Sequence, residues 1–369
     1  RDSSTSRGLG DVYKRQIENT PIEAKFVKYH LTHIKLSKSG FFYGKNNYLC
    51  SLIYNKKFLQ TMINRILIRI KVLQIVYSYY QNGNGDLKVA ENELLFSLQK
   101  SYDLYYYFLL LIIEVTNLQR RILDTRKCKY MPTDEELNPN TRFIDNRFVA
   151  QLAENDTLKK YVDEQGLSWS NDEEFIKNVL DTILSSEIYA EYLKNEEDSY
   201  ETDREFWRQI FKKIICGNEM IEEYLEDKSI YWNDDIEIVE TFALKTIKKF
   251  EEKKGSKQAL LPMFKDLEDK AFAIKLFRQS LLKGKEYRER IDKHMKNWET
   301  ERIANMDLII MQVALAEILS FPTIPINVTL NEYIDAAKYY STPKSGTFIN
   351  GILDLSLIHI SEPTRRRGI

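Results

Sequence analysis

Hydrophobic and polar positions along this chain alternate with the period of helices almost throughout. Ile66, Ile70, Leu73, Tyr77 and Tyr80 recur at four- and three-residue steps and predict a helix over residues 63–81 with one apolar stripe. Arg65 and Arg69 lie one turn apart on a neighbouring face, with Lys71 close by, and no acidic residue offsets them before Asp86. The NGNG stretch at 82–85 ends this helix. A second helix is expected over 89–128; its apolar run YYYFLLLII at 105–113 is too short to cross a bilayer and predicts a buried segment. After a polar loop around Pro132 and Pro139, acidic helices are expected at 145–163, 171–197 and 203–230.

Two segments 66 residues apart echo each other. Asp203, Phe206, Phe211 and Trp232 recur as Asp269, Phe272, Phe277 and Trp298, which suggests a duplicated unit built on a long helix with inward aromatics. Residues 301–320 are apolar nearly all round, as expected of a helix at the centre of a bundle. The prolines within 321–325 break it. The sequence Thr329-Leu330-Asn331-Glu332 has the form of a capping box opening a helix through Tyr340, and Ser345 is placed to cap the last one.

Composition agrees with the pattern. Only 13 glycines and 8 prolines punctuate 369 residues, too few for a many-stranded protein, and 43% hydrophobic content excludes disorder. The fold class expected is all-α. A net charge of −1 conceals a strong asymmetry: residues 131–240 carry 29 acidic against 11 basic residues, a net of −18, whereas 241–300 carry 16 basic against 9 acidic, a net of +7. A polyanionic ligand would therefore meet the flanks of the chain and avoid its middle.

Catalytic chemistry has little to work with. Cys50, Cys128 and Cys216 form no paired motif, which speaks against a zinc site or a disulfide framework and fits a reducing cytoplasm. His30, His33 and His359 lie near the ends, and His294 beside Lys293 reads as a solvated helix residue. Nucleophilic triads, zinc-protease, phosphate-loop and dinucleotide patterns are absent, so no enzyme activity, cofactor or metal is expected.

The ends are unusual. Residues 11–16, DVYKRQ, and 355–360, LSLIHI, can be encoded by complementary strands of one oligonucleotide, which marks 1–16 and 355–369 as adapter-derived. Residues 17–61 lack sustained periodicity and are read as a non-native or untranslated-region-derived leader, with Met62 as the start of the patterned chain.

The run ERIANMDLIIMQVALAEILSFPTIPINVTLNEYIDAAKYYSTPKSGTFINGILD resembles the signature of the NusB transcription antitermination family. Its elements occur in order: an apolar helix ending in ALxE, a PxxPxxV connection, an NExxxxAK helix and a KSGxFxNGxLD ending. The opening RILIRIKVLQIVYSYYQ is similar to the family's basic first helix. The resemblance implies two helical subdomains, with 62–81 as the first basic helix and 266–354 as the C-terminal subdomain. Residues 82–265 would be a helical, acidic insertion of the kind found in an enlarged Bacteroidetes-like variant. It further implies a bacterial, cytoplasmic RNA-binding protein that recognises boxA of ribosomal RNA transcripts together with the ribosomal protein NusE, within the RNA polymerase antitermination complex. On this basis Arg65, Arg69, Lys71, Lys344, Ser345 and Phe348 are expected to face RNA, and Tyr77 and Asp307 the protein partner. The alternative left open by the residues is a helical protein–protein interaction module without direct RNA binding.

Removing residues 1–61 and 355–369 is expected to leave the protein folded, since neither segment is assigned to the core. Far-ultraviolet circular dichroism checks this, and a large loss of helical signal on trimming would contradict it.

Overall fold

A computed structural model describes residues 61–83, 85–295, 304–342 and 344–361, and among them there is no β-strand. In chain order the helices are α1 (Arg65–Gln81), α2 (Leu87–Lys127), the single turn α3 (Asp134–Leu137), α4 (Arg147–Ala153), α5 (Asp156–Gln165), α6 (Glu173–Leu184), α7 (Glu187–Lys194), α8 (Tyr200–Ile210), α9 (Glu219–Lys228), α10 (Ile236–Lys249), α11 (Leu267–Leu282), α12 (Gly284–His294), α13 (Asn305–Ser320), α14 (Ile326–Tyr340) and α15 (Ser345–Ser361). No helix among the described residues is long and apolar enough to cross a membrane. The chain divides into two compact units, one holding Asn64–Leu98 and Asp266–Ile369, the other Gln99–Lys265.

In the first unit α13 is the axis. It packs against α1, α11, α12, α14 and α15, which is why residues such as Ile310, Met311, Ala314 and Leu315 are fully buried and why the helix is apolar on all sides. Asn64 starts α1 by accepting the Leu67 N–H at 2.9 Å. Where α11 turns into α12, a polar knot replaces apolar packing. Gln312 donates to the Tyr80 hydroxyl at 2.8 Å and to the Ser280 carbonyl at 2.7 Å, and accepts from Arg288 Nε at 2.8 Å. Gly284 gives the knot room, because a Cβ would stand 2.5 Å from the Tyr80 oxygen and 2.8 Å from Gln312 Nε2 and these side-chain ends would have to shift.

A second polar feature, a buried ion pair, crosses this unit. Arg69 of α1 donates from Nε and Nη2 to Glu317 of α13 at 2.8 and 2.6 Å, with the two side chains 7% and 0% exposed. Glu317 also accepts from Thr329 Oγ1 and the Tyr333 hydroxyl of α14, each at 2.9 Å. Burial alone would lower the Arg69 pKa, but the hydrogen bond and charge of Glu317, aided by Glu332, hold it above its ordinary value. Through these bonds Glu317 ties three helices together.

In the second unit the 105–113 run is buried in α2 as expected, with its tyrosines satisfied by polar partners. The Tyr105 hydroxyl meets Thr246 Oγ1 at 2.8 Å, and Tyr102 donates to the Leu261 carbonyl at 2.9 Å. Lys228 lies 5.4 to 5.8 Å from the ring centroids of Tyr107, Trp169 and Tyr224 and pairs with Asp172. Each expected acidic helix is split in two. Asn155, Ser186 and Asn218 act as N-caps within 145–163, 171–197 and 203–230, each accepting first-turn N–H groups and so starting a new helix.

Three local expectations are corrected. Thr329 does not cap α14: that helix already begins at Ile326, and the Thr329 hydroxyl is drawn to Glu317. Ser345 is the first residue of α15, and its hydroxyl donates to Asp307 and accepts the Thr342 N–H. The two echoing segments are not single long helices. The 203–232 segment passes through α8, a π-helical turn at Phe211–Ile215, α9 and a 3₁₀ turn, and the second breaks between α11 and α12, with Trp298 outside the described residues. Their acids also differ in use, Asp203 accepting from the Arg147 backbone N–H and Tyr192, and Asp269 pairing with Arg65.

Truncating Arg69 would leave Glu317 buried with its charge uncompensated. Arg69→Ala is expected to cost about 3–5 kcal/mol of stability, whereas Arg65→Ala, at a half-exposed pair, should cost under about 1 kcal/mol. Urea unfolding of the two variants measures the difference.

Candidate nucleic-acid interface

The cations of α1 divide by depth. Arg65 is at the rim, its side chain 42% exposed, with Nε 3.4 Å from Asp269 Oδ1 and its guanidinium carbon 5.0 Å from the centroid of the Phe272 ring. That arrangement holds the guanidinium in place while leaving much of it open to a ligand. Arg69, one turn on, approaches the same ring at 5.7 Å but is enclosed by its pair with Glu317. Lys71 is 1% exposed. Neither Arg69 nor Lys71 lies on the solvent-facing stripe that their spacing suggested, because α1 is covered on the sides that carry them. Glu317 is the sequence signal that could have located Arg69, since an acid inside an otherwise apolar helix demands a cation.

The C-terminal turn forms the other cluster. Lys344 is exposed and Phe348 half-buried, with the Phe348 N–H bonded to the Lys344 carbonyl at 3.2 Å. Ser345 is buried and donates to Asp307 Oδ2 at 2.9 Å. The expected RNA residue Ser345 and the expected partner residue Asp307 thus share one hydrogen bond. Burial pushes the Asp307 carboxyl pKa up, opposed by the hydroxyls of Ser341 and Ser345. Tyr77 is half-buried and joins neither cluster. Among the described residues no group of three histidine, cysteine or acidic side chains is placed to hold a metal ion.

The raised Asp307 pKa has a definite sign. Its folded value lies above its unfolded one, so its contribution to stability is present at acid pH and lost as pH rises through the folded value. Asp307→Asn keeps an acceptor for Ser345 and removes that loss. The variant is expected to melt above the parent at neutral pH, with the gap narrowing as pH falls toward the ordinary carboxylate range; thermal denaturation across pH checks it.

Comparison with known proteins bears on the C-terminal part of the chain. The sequence model of the NusB family matches residues 236–356. The transcription antitermination protein NusB of Salinibacter ruber is 41% identical over 105 residues, covering 28% of this chain and 66% of that protein. That of Koribacter versatilis is 41% identical over 92 residues, 24% of this chain and 63% of its own length. That of Chloroherpeton thalassium is 40% identical over 89 residues, 24% of this chain and 42% of its own. In these three relatives the matched stretch is therefore under two thirds of their length. No solved structure gives a significant match. The family match begins at Ile236, so it takes in α10 as well as α11 to α14 and part of α15. Residues 236–356 thus match the model of the NusB family and are similar over part of their length to NusB proteins.

Proposed function

We propose that this chain is an RNA-binding transcription antitermination factor without catalytic activity, acting in the cytoplasm on boxA of ribosomal RNA transcripts together with the ribosomal protein NusE. The match of residues 236–356 to the NusB family model carries this reading. The geometry supports a particular distribution of roles within it. Arg65, open at the rim and pre-positioned by Asp269 and Phe272, and Lys344, exposed on the C-terminal turn, supply phosphate contacts. Phe348 offers ring surface to an unpaired base, the usual target of sequence-specific RNA reading. Arg69 and Lys71 act from inside, holding the helix that presents Arg65. Asp307 and Tyr77 serve the partner side, and the Asp307–Ser345 bond sets the turn beside it.

A second reading, a protein–protein interaction module, draws on the acidic excess of residues 131–240, which suits a basic protein better than RNA. Salt dependence separates the two. Arg65→Ala combined with Lys344→Ala is expected to weaken binding to boxA and to scrambled RNA by similar factors, because phosphate contacts act on all sequences alike. The slope of log affinity against log salt should flatten by about 0.7 for each phosphate that is no longer neutralised. Phe348→Ala should cost about 1–3 kcal/mol if its ring stacks on a base. Titration of labelled RNA at several salt concentrations measures all three, and a parent protein with no salt-dependent RNA binding would favour the interaction module.

A further inference from the structure

A row of alternating cations and rings runs from α1 to the connection after α13. Behind Arg65 stands Phe272, buried, and its ring centroid lies 4.7 Å from that of Phe321 at an interplanar angle of 55°. Lys275, exposed on α11, holds its ammonium 4.7 Å from the centroid of Phe321 and donates to the Ser320 carbonyl at 2.9 Å. Among the described residues no carboxylate pairs with Lys275, whereas the Arg65 charge is shared with Asp269.

Phe321 itself is half-buried and fixed by its backbone. Its N–H bonds to the Glu317 carbonyl at 2.9 Å, ending α13, and Pro322 and Pro325 stiffen the residues that follow. A core phenylalanine would be enclosed, and a solvated surface position would not need one. Here a half-buried ring is backed by Phe272 and carries a lysine ammonium 4.7 Å from its centroid. That is the composition of a single-strand stacking site, in which an aromatic platform takes a base and a neighbouring cation takes its phosphate.

We propose that Phe321 and Lys275 form a second nucleotide contact, continuing the RNA path beyond Arg65. An unpaired base of single-stranded RNA stacks on Phe321 in the place of the Lys275 ammonium, and Lys275 moves to the adjoining phosphate. Exchange of one cation partner for another keeps the cost of opening the site small. The contact tolerates any base, since every base offers a π-face, and so extends affinity more than sequence preference. The proposal rests on the RNA-binding reading and adds two residues to it.

The test uses the full chain and a short fluorescein-labelled single-stranded oligoribonucleotide, titrated at several salt concentrations, with circular dichroism confirming that each variant is folded. Phe321→Leu preserves apolar packing against Phe272 and should weaken binding about tenfold with little change in salt slope. Lys275→Gln should flatten the slope by about 0.7. Phe321→Trp should retain affinity, and RNA should quench the fluorescence of the introduced tryptophan beyond any change in the parent. If the parent and Arg65→Ala behave as RNA binding requires while Phe321→Leu and Lys275→Gln titrate like the parent and the tryptophan is not quenched, this second contact is overturned and the RNA-binding reading stands. A parent protein that shows no salt-dependent RNA binding overturns both.

Discussion

The first unit depends on one buried charge pair, Arg69 with Glu317. Glu317 sits at full burial in the helix on which five others pack, so its carboxylate must be neutralised from neighbouring elements. Arg69 comes from α1, and Thr329 and Tyr333 from α14, with Arg69 Nε and Nη2 satisfied by the two carboxylate oxygens. Such a pair contributes little net energy compared with an apolar replacement, because desolvation offsets the attraction. Its value here is in register. Helices that slide past one another by a turn would strand a charge in apolar surroundings, so the pair selects one arrangement of α1, α13 and α14.

That choice decides which cations reach the surface. Once Arg69 is turned inward, Arg65, one turn earlier on the same side of α1, lands at the edge of the α1–α11 contact, where Asp269 and Phe272 steady it. The surface thus inherits its geometry from the core. The polar knot of Tyr80, Gln312, Arg288 and Gly284 does similar work at the α11–α12 corner, where an added methyl would displace the ends of Tyr80 and Gln312.

The C-terminal turn couples two expected roles through a single atom pair. Ser345 meets Asp307 at 2.9 Å, so whatever engages the Asp307 carboxyl also acts on the turn carrying Lys344. The second unit stands apart in character. Its interior is largely aliphatic and phenylalanine, with buried tyrosines such as Tyr102 and Tyr105 tied by their hydroxyls to polar partners, and residues 131–240 carry a strong acidic excess. The NusB-family match reaches into this unit through α10, so the family resemblance extends upstream of the 266–354 segment that the motifs marked out.

Period and composition were enough to determine that the described residues are helical, that a central apolar helix lies within 301–320, observed from Asn305, and that the 105–113 run is buried, because each is written in local spacing that survives any packing. Helix breaks at Asn155, Ser186 and Asn218 were legible in principle, since cap residues act through their own nearest N–H groups. Depth was not. Arg65 and Arg69 have the same residue type and the same helix face, and only the approach of α13 and α14 puts one in an ion pair at the core and leaves the other at the rim. The row of Arg65, Phe272, Phe321 and Lys275 draws on three separate segments, so no spacing along the chain announces it. Local periodicity records which face of a helix a residue occupies. What lies against that face is decided only by the tertiary structure.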